Sequence, residues 1–238
     1  MRNIEELTIE NMDVYYPLTQ KRDLIKKISA EYFEGELMDL GCGRMPYKSS
    51  IMQISKIKSY TGVDIKNDNY QKDNTPILPD IFWDGITIPC EDNKFNSCIL
   101  IEVLEHIPQP QNVLNEINRV MAKDGHLLIT VPFLWNLHDI PNDEYRYTPF
   151  ALKRMLEESG FEVVKLEHFG GWHTSMATMI SLYVRRGLQR NKYKDTLSKL
   201  MLPVIKYLMK KDAKTDKTLF DEGQMITGLW CLAKKNNK

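Results

Sequence analysis

The stretch LMDLGCGRMPYK, residues 37–48, decides how the chain is read. An apolar run carries an acid, Asp39, and leads straight into Gly41 and Gly43 on either side of Cys42. Without a Cβ, glycine lets the backbone turn tightly and come close to a ligand. The dinucleotide fingerprint G-x-G-x-x-G needs glycine at position 46, where Pro46 has no N–H to offer a pyrophosphate. A phosphate loop ending in Lys48-Ser49 needs glycines at 42 and 47, which are Cys42 and Tyr47. Two readings stay open: a turn serving some other ligand, or a strand-to-helix turn with none.

Outward from this loop, short runs of strand character lie at 36–40, 59–64, 81–83, 97–101, 126–131, 161–169 and 224–233. Helical periodicity appears at 20–33, at 110–122 with Val113, Leu114, Ile117, Val120 and Met121 on one face, and at 149–159 closed by Gly160. Asp124-Gly125 reads as the turn into the fifth strand. Strands that alternate with helices and read as continuous apolar runs predict an α/β, doubly wound, mostly parallel sheet with helices on both faces. The segment 171–222 is too long for a plain connection and reads as a helical, basic, cap-like insertion.

With 238 residues, 42% of them hydrophobic, the chain can bury the core of one domain spanning 1–238. Lys plus Arg equals Asp plus Glu at 32 each, so any electrostatic case for nucleic acid must be local. The start of the sequence lacks the basic and apolar pattern of a secretory signal, and no apolar run suits a membrane span, so a cytoplasmic location is expected. Cys42, Cys90, Cys98 and Cys231 form no C-x-x-C pair and are expected to be buried apolar residues.

Ligands of such sheets sit beyond the carboxyl ends of the strands. Asp64 ends the second strand, where a carboxylate can accept from two ribose hydroxyls and disfavours a 2′-phosphate. Asp84 and Gly85 end the third, followed by an apolar turn suited to a flat base, and Glu102 ends the fourth. Taken together, MDLGCG (38–43), GVDI (62–65), WDGITIPCEDNKFNSCILIEVLEHIPQP (83–110) and DGHLLITVPF (124–133) resemble the class I S-adenosylmethionine-dependent methyltransferases, most closely their small-molecule, type 11-like group. The resemblance implies a Rossmann-like seven-stranded sheet with an antiparallel last strand, and S-adenosyl-L-methionine as cofactor. It places Asp39, Gly41, Cys42 and Gly43 around the methionine end and Asp64 on the ribose hydroxyls. Ile65 would lie against the adenine, Asp84 and Gly85 at its edge, and Glu102 near the reacting end. Two positions depart from the pattern: Met45 replaces its third glycine, and Asn96 an acid.

A sulfonium is a good leaving group, so the protein must mainly align the methyl with its acceptor and, for a hydroxyl, remove a proton. No metal is required, although His106, His138, Asp139 and Asp143 are of ligand type. The loop 132–150 supplies His138, Asp139, Asp143, Tyr145, Arg146 and Tyr147. His138 or Asp143 is the expected general base and Arg146 the group for an anionic or hydroxyl-rich acceptor; the competing reading pairs Asp143 with Arg146 to pin the loop. His106 reads as a packing residue.

Residues 185–217 carry eleven Lys or Arg (185, 186, 190, 192, 194, 199, 206, 210, 211, 214, 217) against Asp195, Asp212 and Asp216, a local excess of +8. Leu197, Leu200, Met201, Val204, Ile205, Leu208 and Met209 recur there at helical spacing, with Pro203 as a kink or break. Such a helix suits peripheral contact with an anionic membrane, or a cap over the pocket. A small-molecule or lipid-linked glycan acceptor is expected, or an apolar, quinone-like one; nucleic acid is disfavoured because the basic run has few aromatics. O-methylation is the leading function. The alternatives are a non-catalytic binder of the same cofactor and an NAD-dependent oxidoreductase.

Overall fold

The computed structural model describes residues 5–66, 77–188, 192–212 and 216–236; Arg190 and Lys214 of the basic run lie outside them. The elements follow as α1 (Tyr15–Tyr32), β1 (Glu34–Leu40), α2 (Lys48–Ile54), β2 (Lys56–Ile65), β3 (Ile81–Trp83), β4 (Phe95–Ile101), α3 (Pro110–Val120), β5 (Met121–Pro132), α4 (Pro149–Glu158), β6 (Phe161–Phe169), α5 (Trp172–Leu182), α6 (Lys194–Lys211) and β7 (Gly228–Lys235). A short 3-10 turn, Leu104–His106, separates β4 from α3.

The strands form one seven-stranded sheet in the order β3-β2-β1-β4-β5-β7-β6. β1 pairs in parallel with β2 on one side and β4 on the other, β2 with β3, and β4 with β5. The strand order therefore reverses between β1 and β4, which is where sheets of this kind open a crevice at their carboxyl ends. The α/β doubly wound reading holds. Leu37, Met38 and Leu40 of β1, Cys98, Ile99 and Leu100 of β4, and Leu127, Leu128 and Ile129 of β5 are fully buried. Such continuous burial requires cover on both faces, and each large aliphatic side chain so buried contributes about 1.5–3 kcal/mol. On α3, Val113, Leu114, Ile117 and Val120 turn inward, as their spacing predicts.

Several elements differ from expectation; α1 begins at Tyr15 and β2 at Lys56, both earlier than their predicted starts at 20 and 59. α3 ends at Val120 and β5 begins at Met121, so Asp124-Gly125 lies inside the strand. Phe95 pairs with Met121 but Ser97 pairs with His126, which makes residues 122–125 a bulge, with Asp124 at φ 62°. α2 was not foreseen, and β7 starts four residues later than predicted because Asp221 to Gln224 closes a turn first.

The chain divides into two compact units. The larger comprises Leu24–Val131, His138–Leu166 and Trp230–Lys238. The smaller comprises Met1–Asp23, Pro132–Leu137 and Glu167–Leu229 and contains the predicted insertion, which is helical at α5 and α6. Its apolar centre is Met12, Ala177 and Ile205, joined by Met201, Leu202, Leu208 and Met209 of α6. α6 runs through Pro203 without ending. α5 begins at Gly171, which has no capping side chain, and Asp212 supplies the cap from beyond α6 by accepting the Thr174 N–H at 2.7 Å. Among the described residues no helix is long and apolar enough to cross a membrane.

Candidate active site

All the predicted cofactor residues lie in the larger unit, at or just beyond the carboxyl ends of β1 to β4. After β1 the chain must double back: Gly41 and Gly43 take φ 74° and 50°, and the N–H groups of Gly41 and Cys42 both reach the Val63 carbonyl, at 2.8 and 3.2 Å. A Cβ at Gly41 would lie 2.3 Å from a Val103 methyl, whereas one at Gly43 would meet nothing within 4 Å. Gly41 is thus a packing requirement, and Gly43 faces open space. Gly85, at φ 86° after β3, is likewise open.

Asp64 lies beside Gly43. One carboxylate oxygen accepts the Gly43 N–H and the other the Ile65 N–H, each at 2.7 Å, so this side chain sets the shape of the turn after β1. Asp39 is buried and accepts a short hydrogen bond from the Tyr60 hydroxyl. Burial pushes its carboxyl up to about 7, the Tyr60 bond opposes this, and the nearby Asp64 charge adds to it. Burial likewise raises the Cys42 thiol, which is a packing group with no thiolate character.

Asp84 caps the next turn by accepting the N–H groups of Ile86 and Thr87 at 2.8 and 2.9 Å, and these bonds hold its carboxyl below the usual carboxylate range. Arg119 of α3 fixes the same turn through the carbonyls of Ile88 and Cys90, at 2.8 and 2.9 Å. Glu102 sits at φ 54°, a conformation that non-glycine residues adopt at a cost of about 1–2 kcal/mol. It is held there by the Thr130 side chain, which donates to Oε1 at 2.8 Å, and by the Thr130 carbonyl, which accepts its N–H at 3.0 Å.

A second group of side chains follows one turn beyond Glu102. The Glu105 carboxylate is wholly buried, with His106 Nε2 3.7 Å and His138 Nε2 3.9 Å from its Oε1. The two imidazoles stand edge to face, 4.8 Å between centroids. Asp143, Arg146 and His138 are brought together as the sequence suggested. Asp143 receives both Arg146 terminal nitrogens, at 2.6 and 2.9 Å, and the His138 N–H at 3.1 Å. The Arg146 guanidinium holds the Asp143 carboxyl far below the usual carboxylate range, which disfavours Asp143 as a base and supports its loop-pinning role. His138 Nδ1 lies 3.3 Å from Asp143 Oδ2.

The loop 139–147 is fastened to the 3-10 turn: the Glu144 and Tyr145 N–H groups donate to the Glu105 carbonyl, and the Tyr147 hydroxyl donates to that of Leu104. Sequence reasoning gave no part to Glu105 or Tyr60. Glu105 belongs to the quoted EVLEH stretch, and its spacing of one from His106 was a usable signal. Tyr60 has none, because only the β1–β2 register brings it beside Asp39.

The family described as "Methyltransferase domain" matches residues 14–166. The fatty-acid O-methyltransferase of Mycolicibacterium smegmatis is 23% identical over 166 residues, which cover 68% of this chain and 57% of that one. A second curated relative, the arginine–tRNA ligase of Clostridium acetobutylicum, is 32% identical over 75 residues. Those cover 32% of this chain and 13% of that one. The chain thus spans less than two thirds of either relative's length. Among solved structures, a SAM-dependent methyltransferase from Archaeoglobus fulgidus superposes with a TM-score of 0.52 at 20% identity, covering 93% of this chain and 100% of that one. The [4+2]-cyclase SpnF superposes with a TM-score of 0.57 at 16% identity, covering 91% and 81%. At these identities the structures share the fold alone.

Proposed function

The chain belongs to the methyltransferase domain family, and on that premise we propose that it transfers a methyl group from S-adenosylmethionine to an oxygen of a small organic acceptor. The observation that carries this reading is the turn at Gly43: open space above a left-handed glycine, with the Asp64 carboxylate bonded beside it and the open Gly85 across the strand ends. In this reading Asp39, Gly41, Cys42 and Gly43 surround the methionine end, and Asp64 and Ile65 take the ribose and adenine. Asp84 and Gly85 border the base, and Glu102 stands nearest the methyl. The family and Pro46 both speak against the NAD-dependent alternative.

For the acceptor, His138 is the group that takes the proton, oriented by Asp143, which Arg146 holds in turn. An oxygen acceptor of lipid-like or glycan-bearing character is favoured by two facts. One is the likeness to a fatty-acid O-methyltransferase. The other is an exposed strip on α6, where Leu200, Val204 and Tyr207 stand among Lys199, Lys206, Lys210 and Lys211. That strip is proposed as a peripheral contact with an anionic membrane surface. The second reading is a non-catalytic protein of the same fold that binds the cofactor, since a fold does not by itself fix an activity.

Incubation with labelled S-adenosylmethionine and fractionated cell extract tests the proposal. Label should enter an extractable small molecule and be lost with Asp64→Ala. His138→Ala should lower turnover while cofactor binding, measured by calorimetry, is kept. Cofactor binding with no labelled product in any fraction would sink methyl transfer in favour of the non-catalytic reading.

A further inference from the structure

We propose that Glu105, His106 and His138 form a binding site for one divalent transition-metal ion, of the zinc or cobalt kind. Their ligand atoms, one from each residue, all lie within 4.8 Å of one another. The contacts of 3.7 and 3.9 Å from Glu105 Oε1 to the two Nε2 atoms are too long for hydrogen bonds. They are close to the separation of about 3.4 Å between neighbouring ligands that share a tetrahedral ion with bonds near 2.1 Å.

The ring orientations point the same way. His106 Nδ1 lies 2.9 Å from the Asn142 carbonyl, which can only accept, so Nδ1 carries a proton and, in the neutral ring, Nε2 presents a lone pair. His138 Nδ1 lies 3.3 Å from Asp143 Oδ2 without a hydrogen bond between them, and its Nε2 is 3.9 Å from Glu105 Oε1. Two imidazole nitrogens thus lie near one oxygen of a carboxylate that is 0% exposed. Backing of a histidine by a carbonyl, as at His106, is a usual support of metal-bound imidazole. Both histidine side chains remain about one fifth exposed (20% and 22%), so an ion held there would be reachable from solvent.

The role of the ion rests on the methyl-transfer reading; the site does not. An ion held by Glu105, His106 and His138 would lower the pKa of an acceptor hydroxyl, whose proton would pass to water and whose oxygen would attack the methyl carbon. The O–C bond forms as the S–C bond breaks, giving a methyl ether and the neutral thioether. His138 then acts as a ligand, and the ion replaces it as the group that activates the acceptor.

The experiment takes untagged full-length protein, strips it with a chelator and titrates it with Co²⁺ and Zn²⁺, alone and with S-adenosylmethionine. One Co²⁺ per chain should bind, with a visible d–d band typical of nitrogen and oxygen ligands, and Zn²⁺ should displace it. Glu105→Gln, His106→Ala and His138→Ala should each weaken binding at least tenfold, and Asp143→Asn by about 10–100-fold. Circular dichroism and calorimetry with S-adenosylmethionine establish that each variant is folded. Absence of the band, or a band of equal strength in folded Glu105→Gln and His138→Ala, overturns the site. Methyl transfer that persists in excess chelator keeps the function and overturns the metal's part in it. Metal binding without cofactor binding keeps the site and removes the function.

Discussion

Gly41 and Gly43 stand two positions apart, yet replacing them should have different consequences. At Gly41 an added methyl collides with Val103, so Gly41→Ala should lower the melting temperature sharply. Gly43→Ala meets no atom and should cost only the conformational penalty of about 1 kcal/mol, while removing cofactor binding in calorimetry. Asp39 gives a pH dependence. Its folded value of about 7 lies above the ordinary 3.8, so the fold favours the protonated form. The stability it contributes is complete below 3.8 and is lost as pH rises toward about 7, and Asp39→Asn should flatten that slope in denaturant titrations. If the cationic amino acid end of the cofactor binds beside it, binding just below neutral pH should release a proton. Calorimetry in buffers of different ionisation enthalpy reads that release, and equal heats in all buffers would count against the placement. Gly41, Gly43 and Asp64 were legible because glycine and a strand-end acid have few other uses in such positions. The Asp39–Tyr60 bond was not, since it depends on strand register.

Among the elements, the strands of the sheet were the easiest to read, because continuous apolar runs bounded by Gly and Asp have one ready explanation. The bulge at 122–125 was hidden: Asp124-Gly125 has the chemistry of a turn, and only pairing with β4 reveals that the strand has already begun. α6 was half legible. Its spacing grouped seven apolar residues on one face, but Ile205 is fully buried while Leu200 is 63% exposed. Ile205→Ala should therefore destabilise the protein by about 2–5 kcal/mol in chemical denaturation, whereas Leu200→Ala should stay within about 0.5 kcal/mol.

On the scale of the whole molecule the formal charge is zero, yet residues 185–217 carry +8. Association with anionic vesicles, as proposed for α6, should therefore be visible at low salt and fade toward 0.15 M, where the screening length is about 8 Å. Leu200→Glu with Lys206→Glu should abolish it; no co-sedimentation of the unmodified protein at low salt would remove the membrane from the proposal. The sequence does not announce the two compact units, because the smaller is assembled from three separated stretches of chain.

Glu105 has a further use as an observable. Its side chain enters the histidine cluster while its carbonyl accepts the Glu144 and Tyr145 amides, at 2.9 and 3.1 Å. Those two main-chain protons are thus tethered to the residue at the centre of the cluster. Their deuterium uptake becomes a clock for its occupancy, slowing when Co²⁺ or Zn²⁺ steadies Glu105 and quickening when a chelator removes it. A mass-spectrometric peptide covering 139–147 would read the state of the cluster directly, with no acceptor, product or assay for either.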